Sequence, residues 1–235
     1  MLYPLKRWGL ISILLIFLAL FFYFHLYRYL SYESLQAHRN GLTAWVRENF
    51  LIAIFGFMAV YIICVAISIP GSIFFRLTAG YLFGNVLGTI AVILSATTGA
   101  FILFLAIDLA FRGWLAEKTN KWLVKMTKGF QQNAFSYLLF LRLMPAFPFW
   151  VTNIVPALLG VPRATFFTAT LIGIIPTSVI YVLIGSNLGY YLEAQKKPDF
   201  GIILKPGIFL PLFALALLSL LPVLFKRRSA KKDMK

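Results

Sequence analysis

The chain has 235 residues, of which 61% are hydrophobic and 12% charged, and its 22 basic against 7 acidic side chains give a formal net charge of +15. A soluble domain carries roughly 25% charged residues, so a soluble enzyme is excluded. The basic residues fall between apolar runs, which points to lipid head groups and topology control. Nucleic acid is not an expected partner, because the sequence has no zinc, helix-turn-helix or aromatic-interleaved basic motif.

The first apolar run, Trp8 to Leu26, follows Lys6 and Arg7. At roughly 19 residues it exceeds the roughly 7–15 of a signal-peptide core, and Tyr27, Arg28 and Tyr29 follow it in place of small cleavage-site residues. It reads as a retained membrane helix. Further apolar stretches lie at about 50–84, 86–111, 134–160, 164–188 and 206–225. About 20 apolar residues are needed to cross the hydrocarbon core. The stretches at 8–27, 86–111, 164–188 and 206–225 each suit one crossing. The other two are interrupted, 50–84 at Pro70-Gly71 and 134–160 at Pro145 and Pro148. Proline removes a backbone donor and clashes with the preceding turn, so each interrupted stretch should split into two arms.

The fold class expected is an all-α integral membrane protein with about four full transmembrane helices and two re-entrant helical hairpins. If both interrupted stretches are hairpins, one face of the membrane receives Lys6, Arg7, Arg112, Lys118, Lys121, Lys125, Lys128, Arg163, Lys226, Arg227, Arg228, Lys231, Lys232 and Lys235. The other receives Arg28, Arg39, Arg47, Lys196, Lys197 and Lys205. The richer face is cytoplasmic by the positive-inside rule. Both termini are then cytoplasmic, and the expected residence is a bacterial cytoplasmic membrane. The first hairpin opens from outside and the second from the cytoplasm, an arrangement shared with inverted-repeat transporters. The organisation expected is residues 1–49 for the first helix and an outer loop, 50–190 for the hairpin core, and 191–235 for the last helix and a basic tail.

Between the third and fourth stretches, Leu115, Thr119, Trp122, Leu123, Met126 and Phe130 share one helical face, while Lys118, Lys121, Lys125 and Lys128 cluster on another. This predicts an amphipathic helix on the anionic cytoplasmic leaflet, or else a loop helix covering the bundle. Gly80, Gly84 and Gly88 form overlapping small-xxx-small steps that let helices approach closely. Pro176 should kink the fifth stretch beside Gly173.

There is no Walker loop, dinucleotide fingerprint or nucleophile elbow. His25 and His38 lack ligand spacing, and the single cysteine, Cys64, reads as a small packing residue. No cofactor and no metal are expected. The candidate substrate-binding residues are instead the polar groups inside apolar stretches: Arg76, Asp108, Arg142 and Asn153. A charge at the centre of a spanning helix costs about 2.5–3.5 kcal/mol on insertion scales, so such groups face a partner or a polar path. Guanidinium suits bidentate phosphate binding. Arg142, three residues before Pro145, could meet a phosphate, pair with Asp108, or snorkel. Asp108 and Arg112, four apart, suit a local salt bridge, with a titrating site as the alternative. Asn153 suits capping of backbone freed by the prolines.

Residues 69–84 read IPGSIFFRLTAGYLFG, followed by Gly88 and Gly99-Ala100, and residues 141–160 read LRLMPAFPFWVTNIVPALLG. Together these passages resemble the SNARE-associated Golgi protein family of the DedA superfamily, the VTT domain, over about 50–190. The resemblance implies two opposed re-entrant hairpins and lipid translocation or scrambling. It carries Pro70, Gly71, Gly80, Gly84, Arg142, Pro145, Pro148, Asn153 and Gly160 onto the family pattern. The function expected is a lipid translocase or scramblase acting on anionic or phosphate-bearing lipids. A small-solute or proton-coupled transporter and a non-transporting scaffold are the alternatives, and self-association into a homo-oligomer stays open.

Overall fold

The computed structural model describes residues 3–25, 34, 37–69, 71–111, 130, 131, 133–144, 147–188 and 201–223. Pro70, Arg112, Pro145, the 114–129 segment with its four lysines and the basic tail lie outside these residues, so the expected surface helix is not among them. Every regular element among the described residues is helical. In chain order these are α1 (Tyr3–Tyr23), α2 (Arg39–Glu48), α3 (Phe50–Ala66), α4 (Ser72–Phe83), α5 (Asn85–Phe111), α6 (Ala134–Leu143), α7 (Phe149–Leu158), α8 (Arg163–Gly173), α9 (Ile175–Ser186), a 3-10 turn at Ile202–Leu204, and α10 (Pro206–Leu218). Three of the expected crossings are long and apolar enough to span a membrane: Asn85–Phe111, Arg163–Ser186 and Pro206–Val223. Large apolar side chains such as Ile16, Leu51, Phe55, Val86 and Leu210 point outward, as they do when hydrocarbon rather than water surrounds a helix. The chain is an integral membrane protein.

The chain forms two compact units, Met1–Leu103 with Thr177–Phe200, and Phe104–Pro176 with Gly201–Lys235. In the first, the break predicted at Pro70-Gly71 falls between α3 and α4. Ser68 (φ 58°) and Gly71 (φ 128°) turn the backbone there, and glycine meets no Cβ penalty at such angles. Past the turn the chain folds back on itself. Phe75 stacks on Tyr61 at 4.7 Å, and further along α4 Phe83 meets Phe57 at 5.4 Å and Phe50 at 6.0 Å between ring centroids. As numbers rise along α4 its partners fall along α3, so the two arms run antiparallel and form a hairpin. Each aromatic pair adds about 0.5–1.5 kcal/mol beyond its buried area.

Backbone-to-backbone approach then fixes α4 against α9. A Cβ on Gly80 would collide with the Val182 carbonyl oxygen, and one on Gly185 with the Leu77 carbonyl oxygen. Gly88 packs in the same way on Ala79, and Gly99 on Ile62 and Val65. Gly84 departs from the expected packing step. It has φ 76° with open space around it, and it serves as the link between α4 and α5.

The second unit repeats the hairpin. Helix α6 ends at Leu143, α7 starts after Pro148, and the strands of contact again run in opposite directions. Arg142 meets Thr152 and Asn153 near the break, whereas Gln131 donates to the Leu159 and Gly160 carbonyls at the open end, at 2.8 and 3.1 Å. Gly160 there has φ 66°. Pro176 does interrupt the fifth stretch. Helix α8 stops at Gly173 and α9 starts at Ile175, which puts the proline in a first turn, where its missing N–H costs nothing.

The short helix α2 was not foreseen. It is amphipathic and bends by 113° into α3. Its Trp45 is 47% exposed while Val46 is buried. Five of its ten residues are polar or charged, so it carries no long apolar run to mark it.

Candidate functional site

Arg142 is 7% exposed, on the last turn of α6. Its Nη1 donates to Thr152 Oγ1 at 3.0 Å, and its Nη2 donates to Asn153 Oδ1 at 2.6 Å and Thr170 Oγ1 at 3.0 Å. The guanidinium also lies 5.3 Å from the Phe166 ring centroid, close enough for a cation–π attraction. Phe166 is held in turn by Phe104, stacked at 4.2 Å. The break before α7 places Thr152 and Asn153 in the first turns of the returning arm. Helix α8 supplies Phe166 and Thr170 from one face, four residues apart. Bonds from a charged donor are about twice as strong as neutral ones, so this cluster ties three helices together. Asn153 does not cap backbone as expected. Its Oδ1 accepts from Arg142, and its fully buried Nδ2 has no protein acceptor.

Arg76, on α4 of the first unit, is 9% exposed. Its Nη1 reaches Thr177 Oγ1 only at 3.4 Å, and its guanidinium lies 5.9 Å from the Tyr181 ring centroid. The buried Tyr61 hydroxyl lies beside the guanidinium, near enough to interact with it but outside strict hydrogen-bond geometry. Each arginine thus meets one threonine and one aromatic ring of the fifth stretch, Phe166 and Thr170 for Arg142, Thr177 and Tyr181 for Arg76.

Asp108 pairs with Arg163. Its Oδ2 accepts from Arg163 Nη2 at 2.9 Å and Nε at 3.1 Å. Sequence reasoning had weighed Arg112, which lies outside the described residues, and Arg142, because a contact between Asp108 and a residue 55 positions on is not legible in spacing. Thr152, Thr170 and Thr177 were missed for the same reason. Their only signal is a hydroxyl in an otherwise apolar run.

The VTT domain profile matches residues 69–187. The chain belongs to the VTT-domain family, the SNARE-associated Golgi proteins of the DedA superfamily. It is 31% identical over 192 residues to a transmembrane protein 41 homolog of Caenorhabditis elegans, covering 80% of this chain and 75% of the worm protein. It is 30% identical over 204 residues to transmembrane protein 41B of Danio rerio, covering 85% and 70%. The human transmembrane protein 41B is 29% identical over 191 residues, covering 79% and 63%. No solved structure matches. The matched VTT segment contains both arginines, both breaks and every hydrogen-bond partner described for Arg142, while Tyr61 lies just ahead of it.

Proposed function

We propose that this VTT protein moves a phosphate-bearing lipid head group between leaflets, as a translocase or scramblase. The observation that supports this reading is the Arg142–Asn153 pair. Asn153 holds the guanidinium with its oxygen and keeps its amide N–H donors unspent, both within an apolar unit. A phosphate oxygen alongside the guanidinium would find a second donor there. Such a station lowers the cost of bringing a charged head group to membrane depth, while the acyl chains stay in lipid. The three bonds of Arg142 to neutral oxygens equally suit a fixed structural cluster in a non-transporting scaffold.

Both termini and the 112–133 segment are proposed to face the cytoplasm, on the excess of basic residues that a topology with two re-entrant hairpins would give to one face. The proposed residence is a bacterial cytoplasmic membrane.

The test is reconstitution into vesicles carrying a headgroup-labelled phospholipid in both leaflets, with an impermeant quencher added outside. Protein-containing vesicles should lose nearly all the signal, and empty ones about half. Loss limited to half in vesicles shown to hold folded protein would remove the translocation reading and leave the scaffold.

A further inference from the structure

We infer that the first unit holds one phosphate-type oxyanion, bound by Arg76 together with the hydroxyls of Tyr61 and Thr177. The two buried arginines differ in how the protein satisfies them. Arg142 has three oxygens at 2.6–3.0 Å. Arg76 has one, at 3.4 Å, beyond the roughly 2.7–2.9 Å of a charge-assisted bond. Its Nε is buried outside hydrogen-bond geometry, as is that of Arg142, so the difference lies in the Nη groups. Among the described residues no carboxylate pairs with it. The chain has only 7 acidic residues, and the one inside an apolar stretch, Asp108, is taken by Arg163 in the other unit.

A cation buried without a counter-charge is unfavourable unless an anion joins it. The surroundings suit an oxyanion rather than a metal or an apolar ligand. Guanidinium and hydroxyl groups all donate, and the Tyr181 face closes one side of the guanidinium without offering a strong acceptor. Buried hydroxyls without protein partners continue along the same helices at Thr78 and Ser178. Phosphate oxygens match the planar fork of arginine. The donor set recognises the phosphate itself, which either a phospholipid head group or free inorganic phosphate presents. The site does not depend on translocation, since an anion held without turnover would satisfy it.

The experiment uses the full chain, delipidated in a phosphate-free detergent, and follows thermal unfolding. Inorganic phosphate and a short-chain phosphatidylglycerol are titrated separately, with a short-chain diacylglycerol as the phosphate-free control. Saturating ligand should raise the melting temperature of the wild type by about 5 °C. The shift should vanish in Arg76→Gln and shrink in Tyr61→Phe. Shifts with both ligands identify a free-anion site, and a shift with phosphatidylglycerol alone identifies a head-group site. Without ligand, Arg76→Gln should melt no lower than the delipidated wild type, because the uncompensated charge is gone. If Arg76→Gln does not fold, Arg76→Lys and Tyr61→Phe carry the comparison, each with a reduced shift. No shift in the wild type with either ligand, or an equal shift with diacylglycerol, would overturn the inference. Flip rates in vesicles are measured independently, so a bound but untransported anion is distinguishable from an empty site.

Discussion

Gly173 of α8 stands directly against the stem of Arg142: a Cβ at Gly173 would lie 2.5 Å from the Arg142 Cβ and 3.1 Å from its Cγ. That separation is well inside van der Waals contact, and the atoms involved are the stiff base of the side chain rather than its flexible end. The glycine therefore sets the distance from which Arg142 reaches Thr170 on the same helix. Gly173→Ala should lower the melting temperature, with overpacking costing about 1–3 kcal/mol. It should also lengthen the Thr170 bond, so flip activity should fall with stability. Thermal unfolding of the purified variant checks the first effect, and an unchanged melting point would show that α8 moves away freely.

Arg142 itself separates the transport reading from the structural one. Arg142→Gln removes three bonds from a charged donor, each contributing about 1.5–3 kcal/mol and not fully additive. A marked drop in thermal stability is expected. Arg142→Lys keeps the charge but loses the planar fork, so it should be intermediate in stability. If phosphate contact is the role, both variants should lose flip activity beyond what their remaining folded fraction explains, glutamine more than lysine. Asp108→Asn should not rescue Arg142→Gln, because the Asp108 carboxylate is engaged by Arg163 at 2.9 Å. A recovery of stability in the double variant would show coupling that the contacts do not.

The Asp108–Arg163 pair is a weaker element. Its side chains are 15% and 47% exposed, and pairs open to solvent contribute about 0.2–1 kcal/mol. Arg163→Gln should therefore shift the melting temperature only slightly, and less still at high salt. A large, salt-independent loss would mean that the pair is shielded, as by lipid.

How much of this was legible follows from what each residue signals. The hairpins were readable because proline and glycine act locally: Pro70-Gly71 and Pro148 interrupt apolar runs, and the structure turns at both places. The crossings were readable because apolar length is a property of one segment. Arg76 and Arg142 stood out because charge is rare in such runs. Their surroundings were not readable. Thr152, Asn153 and Thr170 converge on Arg142 from two further helices, and nothing in the spacing of a threonine in α8 says which arginine it will meet. Gly185 and Gly173 illustrate the same limit. Their importance is a close approach to Leu77 and Arg142, and such an approach exists only once the helices are packed. Asn153 shows a subtler failure: proximity to prolines suggested backbone capping, but a charged donor outbids a neutral amide for the same oxygen.

The close contact of α4 and α9 gives an expectation with a clear sign. Gly80 and Gly185 each face a backbone carbonyl across the interface, from Val182 and Leu77. A backbone atom cannot change rotamer to make room, so Gly80→Leu and Gly185→Leu should each force the helices apart. Both should give protein that fails to purify as a monodisperse species, whereas Gly84→Leu should fail for a different reason, its φ of 76°. Gly56→Leu, with open space around its Cβ position, is the control and should behave as the wild type. Normal behaviour of Gly80→Leu by gel filtration and thermal unfolding would rule out the close approach.

The orientation of the chain can be tested at two positions whose relation the first hairpin fixes. Phe83 lies beside Phe50, with ring centroids 6.0 Å apart, so α4 returns to the membrane face from which α3 entered. Trp45, just before α3, and Asn85, at the start of α5, therefore share that face. Helix α5 then runs for 27 residues, about 40 Å at 1.5 Å per residue, enough to cross the hydrocarbon core once. The segment after Phe111 is therefore expected on the opposite face. That segment holds Lys118, Lys121, Lys125 and Lys128, whose charge favours the cytoplasmic side. In a protein with Cys64 replaced by alanine, Trp45→Cys should react with an impermeant thiol reagent in intact cells, and Lys121→Cys should react only after the cells are opened. Ready reaction of both in intact cells would mean that only one of α3 and α4 crosses the membrane, and it would reverse the face assigned to every residue after Phe83.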